Sequence, residues 1–144
     1  MKKIVDFTVF LSESLDKNTK SQFITESAGD NDLVTEFFFL ARNSATQSHY
    51  LHLMTGSYAE HMALGEFYDA IIPLTDSFME SFIGKFGKLS KTMPTDTKYL
   101  TVSELRDWIE TNRTKLTDCS ELQNIIDEFI SLCNSIQYKL ENLK

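Results

Sequence analysis

From Asp32 to Gly56 the chain runs without a glycine or a proline. The whole of its 144 residues holds only 5 Gly and 2 Pro, far too few for the frequent tight turns of a sandwich or barrel, so long helices are the elements it can form. Leu33, Phe37, Leu40, Ser44, Leu51 and Met54 recur near helical spacing through this stretch, which is read as helix one. The length suits one domain around one hydrophobic core. Apolar residues at 42% against charged residues at 24% match a folded globular chain rather than a disordered one.

Gly56 suits a C-terminal cap, and Ser57-Tyr58-Ala59-Glu60 has the form of a capping box in which Ser57 accepts from a backbone amide and Glu60 reaches back. Helix two therefore starts at once and is predicted to end near Phe82, before Gly84 and Gly87. Lys85 to Tyr99 carries Lys85, Lys88, Lys91, Lys98 and Pro94 and reads as a basic crossing loop. Thr101-Val102-Ser103-Glu104 is a second capping box, opening a shorter helix to about Leu116. Asp118-Cys119-Ser120-Glu121 opens the last helix, in which Leu122, Ile125, Phe129, Leu132, Ile136, Leu140 and Leu143 keep a 3-4 rhythm. The predicted fold is all-α: a four-helix bundle of the ferritin-like sort over residues 31–144, with a long crossover between helices two and three. Residues 1–30 form an N-terminal extension. In it Ile4, Phe7, Val9, Phe10 and Leu11 fit either one short helix or a docking strand, followed by a polar connection from Asp16 to Asp30.

No stretch approaches the roughly 18–20 apolar residues of a membrane helix. Asp6 interrupts the apolar run behind the basic start Met1-Lys2-Lys3, and no small-residue cleavage site follows, so a cytoplasmic, intracellular protein is expected. Cys119 and Cys133, on one predicted helix, stand about 21 Å apart along its axis. That separation forbids a bond between them, and reduced, packed thiols are expected. Fourteen Lys and Arg against 21 Asp and Glu give a net charge of −7, which argues against a whole-surface attraction to nucleic acid or anionic lipid.

Helix two carries the functional information. At 100° per residue Leu64, Phe67, Ile71, Leu74, Phe78 and Phe82 form the stripe that faces a bundle core. A second arc holds His61, Ile72, Met79 and Ile83, so apolar coverage is wider than the ~100° a surface helix needs, and part of it is expected to meet another chain. Asp69, Asp76 and Glu80 lie along the margin of that arc, the last two one turn apart. Glu66 projects elsewhere. Between Arg42 and Lys85 there is no Lys or Arg, yet the interval contains His49, His52, His61, Glu60, Glu66, Asp69, Asp76 and Glu80. Solvent or a bound cation relieves such a cluster, and oxygen with imidazole donors suits iron, manganese or zinc. By composition alone a solvated acidic face is the plainer reading.

The stretch from His49-Tyr50 through His61 to Asp76-Ser77-Phe78-Met79-Glu80 resembles the signature of the Dps mini-ferritins, the starvation-induced DNA-protection proteins. That family has a His-Trp pair near the end of the first bundle helix, a second His twelve residues on, and a D-x-x-x-E motif later in helix two. His49 and His61 keep the interval, Asp76 and Glu80 keep the motif, and Tyr50 replaces the Trp. The family's further carboxylate falls at Gly65, with Asp69 one turn later as a weak substitute. Ser57 to Asp69 is similar in particular to Dps-like proteins of bacteriophages. Detailed likeness covers about a quarter of the chain.

The resemblance implies a homo-oligomer, from a dimer to a shell of twelve subunits, that binds Fe(II) as a substrate and oxidises it, often with hydrogen peroxide. The metal ligands it implies are His49 and His61 from one subunit and Asp76 and Glu80 from its partner. Such a site gives the second arc on helix two a role. Tyr50, Tyr58 and Tyr68 are candidate radical carriers, though tyrosines on bundle helices mostly pack. Some mini-ferritins bind DNA through lysine-rich tails. Here Lys2-Lys3, Lys17, Lys20 and the Lys85 to Lys98 segment are few against an acidic whole, so weak or no DNA binding is expected. The alternative is a non-catalytic helical structural or interaction protein of the same fold, a reading favoured by Gly65. An intrachain di-iron centre is excluded, because no histidine follows His61. Gly84-Lys85-Phe86-Gly87-Lys88 lacks the spacing and the preceding strand of a phosphate loop, and no HExxH, nucleophile elbow or dinucleotide fingerprint occurs.

Overall fold

Asp30 opens the first helix, its carboxylate accepting from the amides of Asp32 and Leu33 and so satisfying donors that no helical carbonyl can reach. The computed structural model describes residues 29–144, so the element expected at 4–11 and all but the last two residues of the connection expected at 16–30 lie outside them. Among the described residues four α-helices follow one another: α1 (Asn31–Met54), α2 (Tyr58–Phe86), α3 (Val102–Leu116) and α4 (Ser120–Asn142). They form a four-helix bundle. α1 and α4 each pack against both α2 and α3, which places α1 diagonally opposite α4.

Polar contacts fix the relative directions. Lys85 at the end of α2 pairs with Glu121 at the start of α4, and Lys139 near the end of α4 pairs with Glu66 near the start of α2, so these helices run antiparallel. The Asp30 amide donates to the carbonyl of Lys115 at the end of α3. The segment joining α2 to α3 lies against α1: Asn43 Nδ2 donates to the Lys98 carbonyl at 3.2 Å and Ser44 Oγ to the Leu100 carbonyl at 2.8 Å. α3 therefore enters beside the middle of α1 and leaves beside its start.

The core draws on every helix. Phe37 of α1 meets Phe78 of α2 edge to face at 5.1 Å, Trp108 of α3 stacked at 5.9 Å, and Phe129 of α4 at 5.0 Å. Leu64, Phe67, Ile71, Phe78 and Phe82 of the expected α2 stripe are buried, with Leu74 at its edge. In α4 the buried positions are Leu122, Ile126, Phe129, Cys133 and Ile136, so Ile125 and Leu132 lie beside the core rather than in it. Both cysteines are buried free thiols. Burial pushes the Cys133 thiol up to about 12, because a thiolate there would lose its hydration. The hydrogen bond from Lys85 holds the exposed Glu121 carboxyl below its ordinary value.

Several helix ends differ from the sequence reading. α1 stops at Met54, and the capping residue is Thr55 rather than Gly56. Ser57 Oγ accepts from the Glu60 amide as expected, but Glu60 does not reach back to Ser57. The Thr55 hydroxyl donates to Glu60 at 2.7 Å and accepts from the Ser57 amide at 3.1 Å, so it relays the second half of the box. α2 continues through Gly84 to Phe86, with Gly87 at φ 92 as its cap. The Phe86 ring packs on Phe82 at 5.0 Å, which offsets the ~1 kcal/mol cost of an interior glycine. α2 also continues through Pro73; the acceptor deprived of an amide is the carbonyl of Asp69, on the exposed side. The Thr101–Glu104 capping box forms in full. α4, by contrast, has Cys119 as its N-cap and no side-chain cap bond, and Thr117 Oγ1 accepts from the Cys119 amide.

Candidate metal centre

The corner between α1 and α2 gathers all three histidines. The last turn of α1 leaves its final carbonyls without helical donors. The Leu51 carbonyl takes the Thr55 amide, and the His52 carbonyl takes Nδ1 of His61 at 2.9 Å. In return, Nδ1 of His52 meets the His61 carbonyl at 2.6 Å. A carbonyl oxygen can only accept, so both rings carry their proton on Nδ1. In the neutral imidazole this leaves the Nε2 lone pair open, the state in which histidine binds metals. Neither Nε2 has a hydrogen-bond partner among the described residues. The two rings stack at 3.6 Å and 20°.

His49 stands one turn before His52 on the same face of α1. Its exposed ring lies 4.5 Å from that of Tyr68 and 6.2 Å from that of His52. Tyr68 meets His52 edge to face at 5.3 Å. Gly65, one turn after His61, faces the His52 ring: a Cβ at this position would lie 3.1 Å from its Cε1 and 3.2 Å from its Nδ1. An open groove of about 670 Å³ follows, lined by His52, Gly65, Tyr68, Asp69 and Lys139 among others.

The carboxylates stand apart. Asp69, Asp76 and Glu80 are all exposed. At 1.5 Å per residue, Asp76 lies about 22 Å and Glu80 about 28 Å beyond His61 along α2. The fold therefore brings His49 and His61 to one corner, on either side of His52, sets Asp69 in the adjoining groove, and keeps Asp76 and Glu80 far from His61 of the same chain. Among the described residues no three His, Cys, Asp or Glu side chains come together so as to hold a metal ion. Glu66 is held by Lys139 of α4, a cation the α2 sequence itself does not supply.

His52 is the member of the cluster that the motif spacing passed over. Its signal was present in the i, i+3 pairing of His49 with His52 and in a glycine one turn after His61. Around the corner, Tyr50, Leu51, Leu53, Met54, Tyr58 and Met62 are exposed, an apolar concentration of the kind that marks contact with another surface.

The fold and this corner define a helical-bundle protein with a paired-imidazole site at one end. Residues 52–140 match a family of unknown function, DUF5856, and the chain belongs to it. The matched range holds His52, His61, Gly65, Asp69, Asp76 and Glu80, while His49 precedes it. No curated protein and no solved structure matches the chain. Among the described residues no helix is long and apolar enough to cross a membrane.

Proposed function

We propose that the chain is a Dps-like mini-ferritin of the cytoplasm, akin to those of bacteriophages, that takes Fe(II) as substrate and oxidises it at sites shared between two copies. His49 and His61 of one copy supply imidazole nitrogens; Asp76 and Glu80 of the other supply oxygens, with Asp69 at the margin. One observation carries the reading: imidazoles with open Nε2 atoms sit at the α1–α2 corner beside exposed apolar side chains, while the acidic pair lies some 22 Å or more down α2 from His61. Groups so separated on one rigid helix can share an ion only if a second molecule delivers one set. A two-fold pairing does this twice by symmetry.

The chemistry follows from the donor set. Hard carboxylate oxygens favour Fe(III) over Fe(II), and imidazole completes a loose sphere that leaves positions for oxygen or peroxide as electron acceptor. Zinc and manganese suit the same donors and would compete. The acidic exterior supports no more than weak DNA binding, and no retarded DNA band is expected at physiological salt.

Aerobic addition of Fe(II), followed through the ferric-oxo absorbance, tests the function, and sedimentation reads the oligomer from dimer to shell. His49→Ala and Glu80→Ala are each expected to slow oxidation. Indifference to both would leave the second reading, a non-catalytic helical structural or interaction protein, which is favoured by the absence of a carboxylate at Gly65.

A further inference from the structure

We propose that His52 is a positioning residue for His61, and that Gly65 is the gap that admits its ring. The inference rests on the metal reading given above and adds to it a residue outside the expected ligand set. Two contacts orient the His61 ring: its Nδ1–H donates to the His52 carbonyl, and its face lies on the His52 imidazole at 3.6 Å. The His52 ring is itself pinned by donation to the His61 carbonyl and by the edge of Tyr68 at 5.3 Å. Each residue's carbonyl thus fixes the other's proton position across the turn, the stacked rings fix each other's plane, and the Nε2 of His61 is presented without the rotamer search a free side chain would need. Outer contacts of this kind, a ligand imidazole donating its second nitrogen to a carbonyl, tune metal affinity by about 10–100-fold.

Gly65 leaves the room the His52 ring uses. A methyl group there would stand 3.1 Å from the His52 ring, tighter than ordinary packing, so the ring would have to give way by a few tenths of an ångström and slide on the stack. The residue is exchanged easily as far as α2 is concerned, since alanine is the better helix former by ~1 kcal/mol. A glycine in the middle of a helix, facing an imidazole, is thus explained by the space that ring occupies.

The test uses the full chain and two substitutions that leave His49, His61, Asp76 and Glu80 in place. Long-range nitrogen–proton NMR of the metal-free protein reads the tautomers, and titration with Co(II), a spectroscopic stand-in for Fe(II), reads affinity. The wild type is expected to show His52 and His61 both protonated on Nδ1. Both variants keep the carbonyl of residue 52 and disturb only the stacking, so His52→Ala, and more mildly Gly65→Ala, are expected to free the His61 ring to a mixture of Nδ1–H and Nε2–H forms and to weaken Co(II) binding, about tenfold in His52→Ala, with Gly65→Ala keeping the helical signal and thermal transition. His61 remaining on Nδ1–H with unchanged Co(II) affinity in both variants overturns the proposal. A wild type that takes up no Co(II) sinks the metal reading alone, and the tautomer of His61 in the two variants then decides the positioning role.

Discussion

Phe37 lies parallel to Trp108, their ring centroids 5.9 Å apart at an interplanar angle of 8°. The same phenyl ring meets Phe78 and Phe129 by its edge or face at 5.1 and 5.0 Å, so one fully buried side chain of α1 touches an aromatic ring from each of the other three helices. Replacing Phe37 with alanine removes all three contacts and leaves a cavity that the long helices cannot close. Phe37→Ala is expected to cost ~3–5 kcal/mol, read as a lower urea midpoint for the loss of helical signal.

Thr55 holds the corner together through one hydroxyl, donating to Glu60 and accepting from the Ser57 amide. Thr55→Val keeps the shape and deletes both bonds. A loss of ~1 kcal/mol is expected, together with faster hydrogen exchange at the Ser57 amide; unchanged exchange there would exclude the relay.

The Cys133 thiol, raised to about 12 by burial, stays protonated and shielded at neutral pH, so a thiol reagent is expected to modify it only after unfolding. The sign of the linkage is fixed by the direction of the shift. The unfolded thiol releases its proton near 9, the folded one not until about 12, and stability therefore falls as pH rises through that window. Cys133→Ala is expected to flatten this part of the stability curve, whatever it costs in packing.

A shared site makes a prediction about mixtures. Coexpressed His61→Ala and Glu80→Ala chains form some mixed pairs, in which one of the two sites receives both defects and the other none. If each variant alone is inactive, statistical mixing is expected to restore about a quarter of the wild-type Fe(II) oxidation, as two-fold pairing requires. No recovery in demonstrated mixed dimers contradicts a centre built across the interface.

The long helices were legible in the chain because helix formation and capping are local: the unbroken run after Asp32, the Thr101–Glu104 box and the aromatic spacing of α2 each act within one or two turns. Adjacent positions were harder. On α4 the rhythm Ile125, Leu132 and the alternative Ile126, Cys133 differ by one residue, and only the angle at which α2 and α3 arrive selects the second set for burial. Likewise Thr75, buried with its hydroxyl donating to the Ile71 carbonyl at 2.6 Å, carries no mark of burial in its identity.

At the corner, residue types and spacing alone determined that His49 and His61 belong to a cation-poor, imidazole-bearing stretch, and that Asp76 and Glu80 share a face one turn apart. Helical rise likewise sets the acidic pair far along α2 from His61, whereas tertiary structure decided that His52 joins the histidines and that Gly65 gives its space to that ring. The first set follows from the periodicity of a helix, which is written into successive residues. The second depends on where two helix ends meet across a turn, a closure whose distances no local spacing contains.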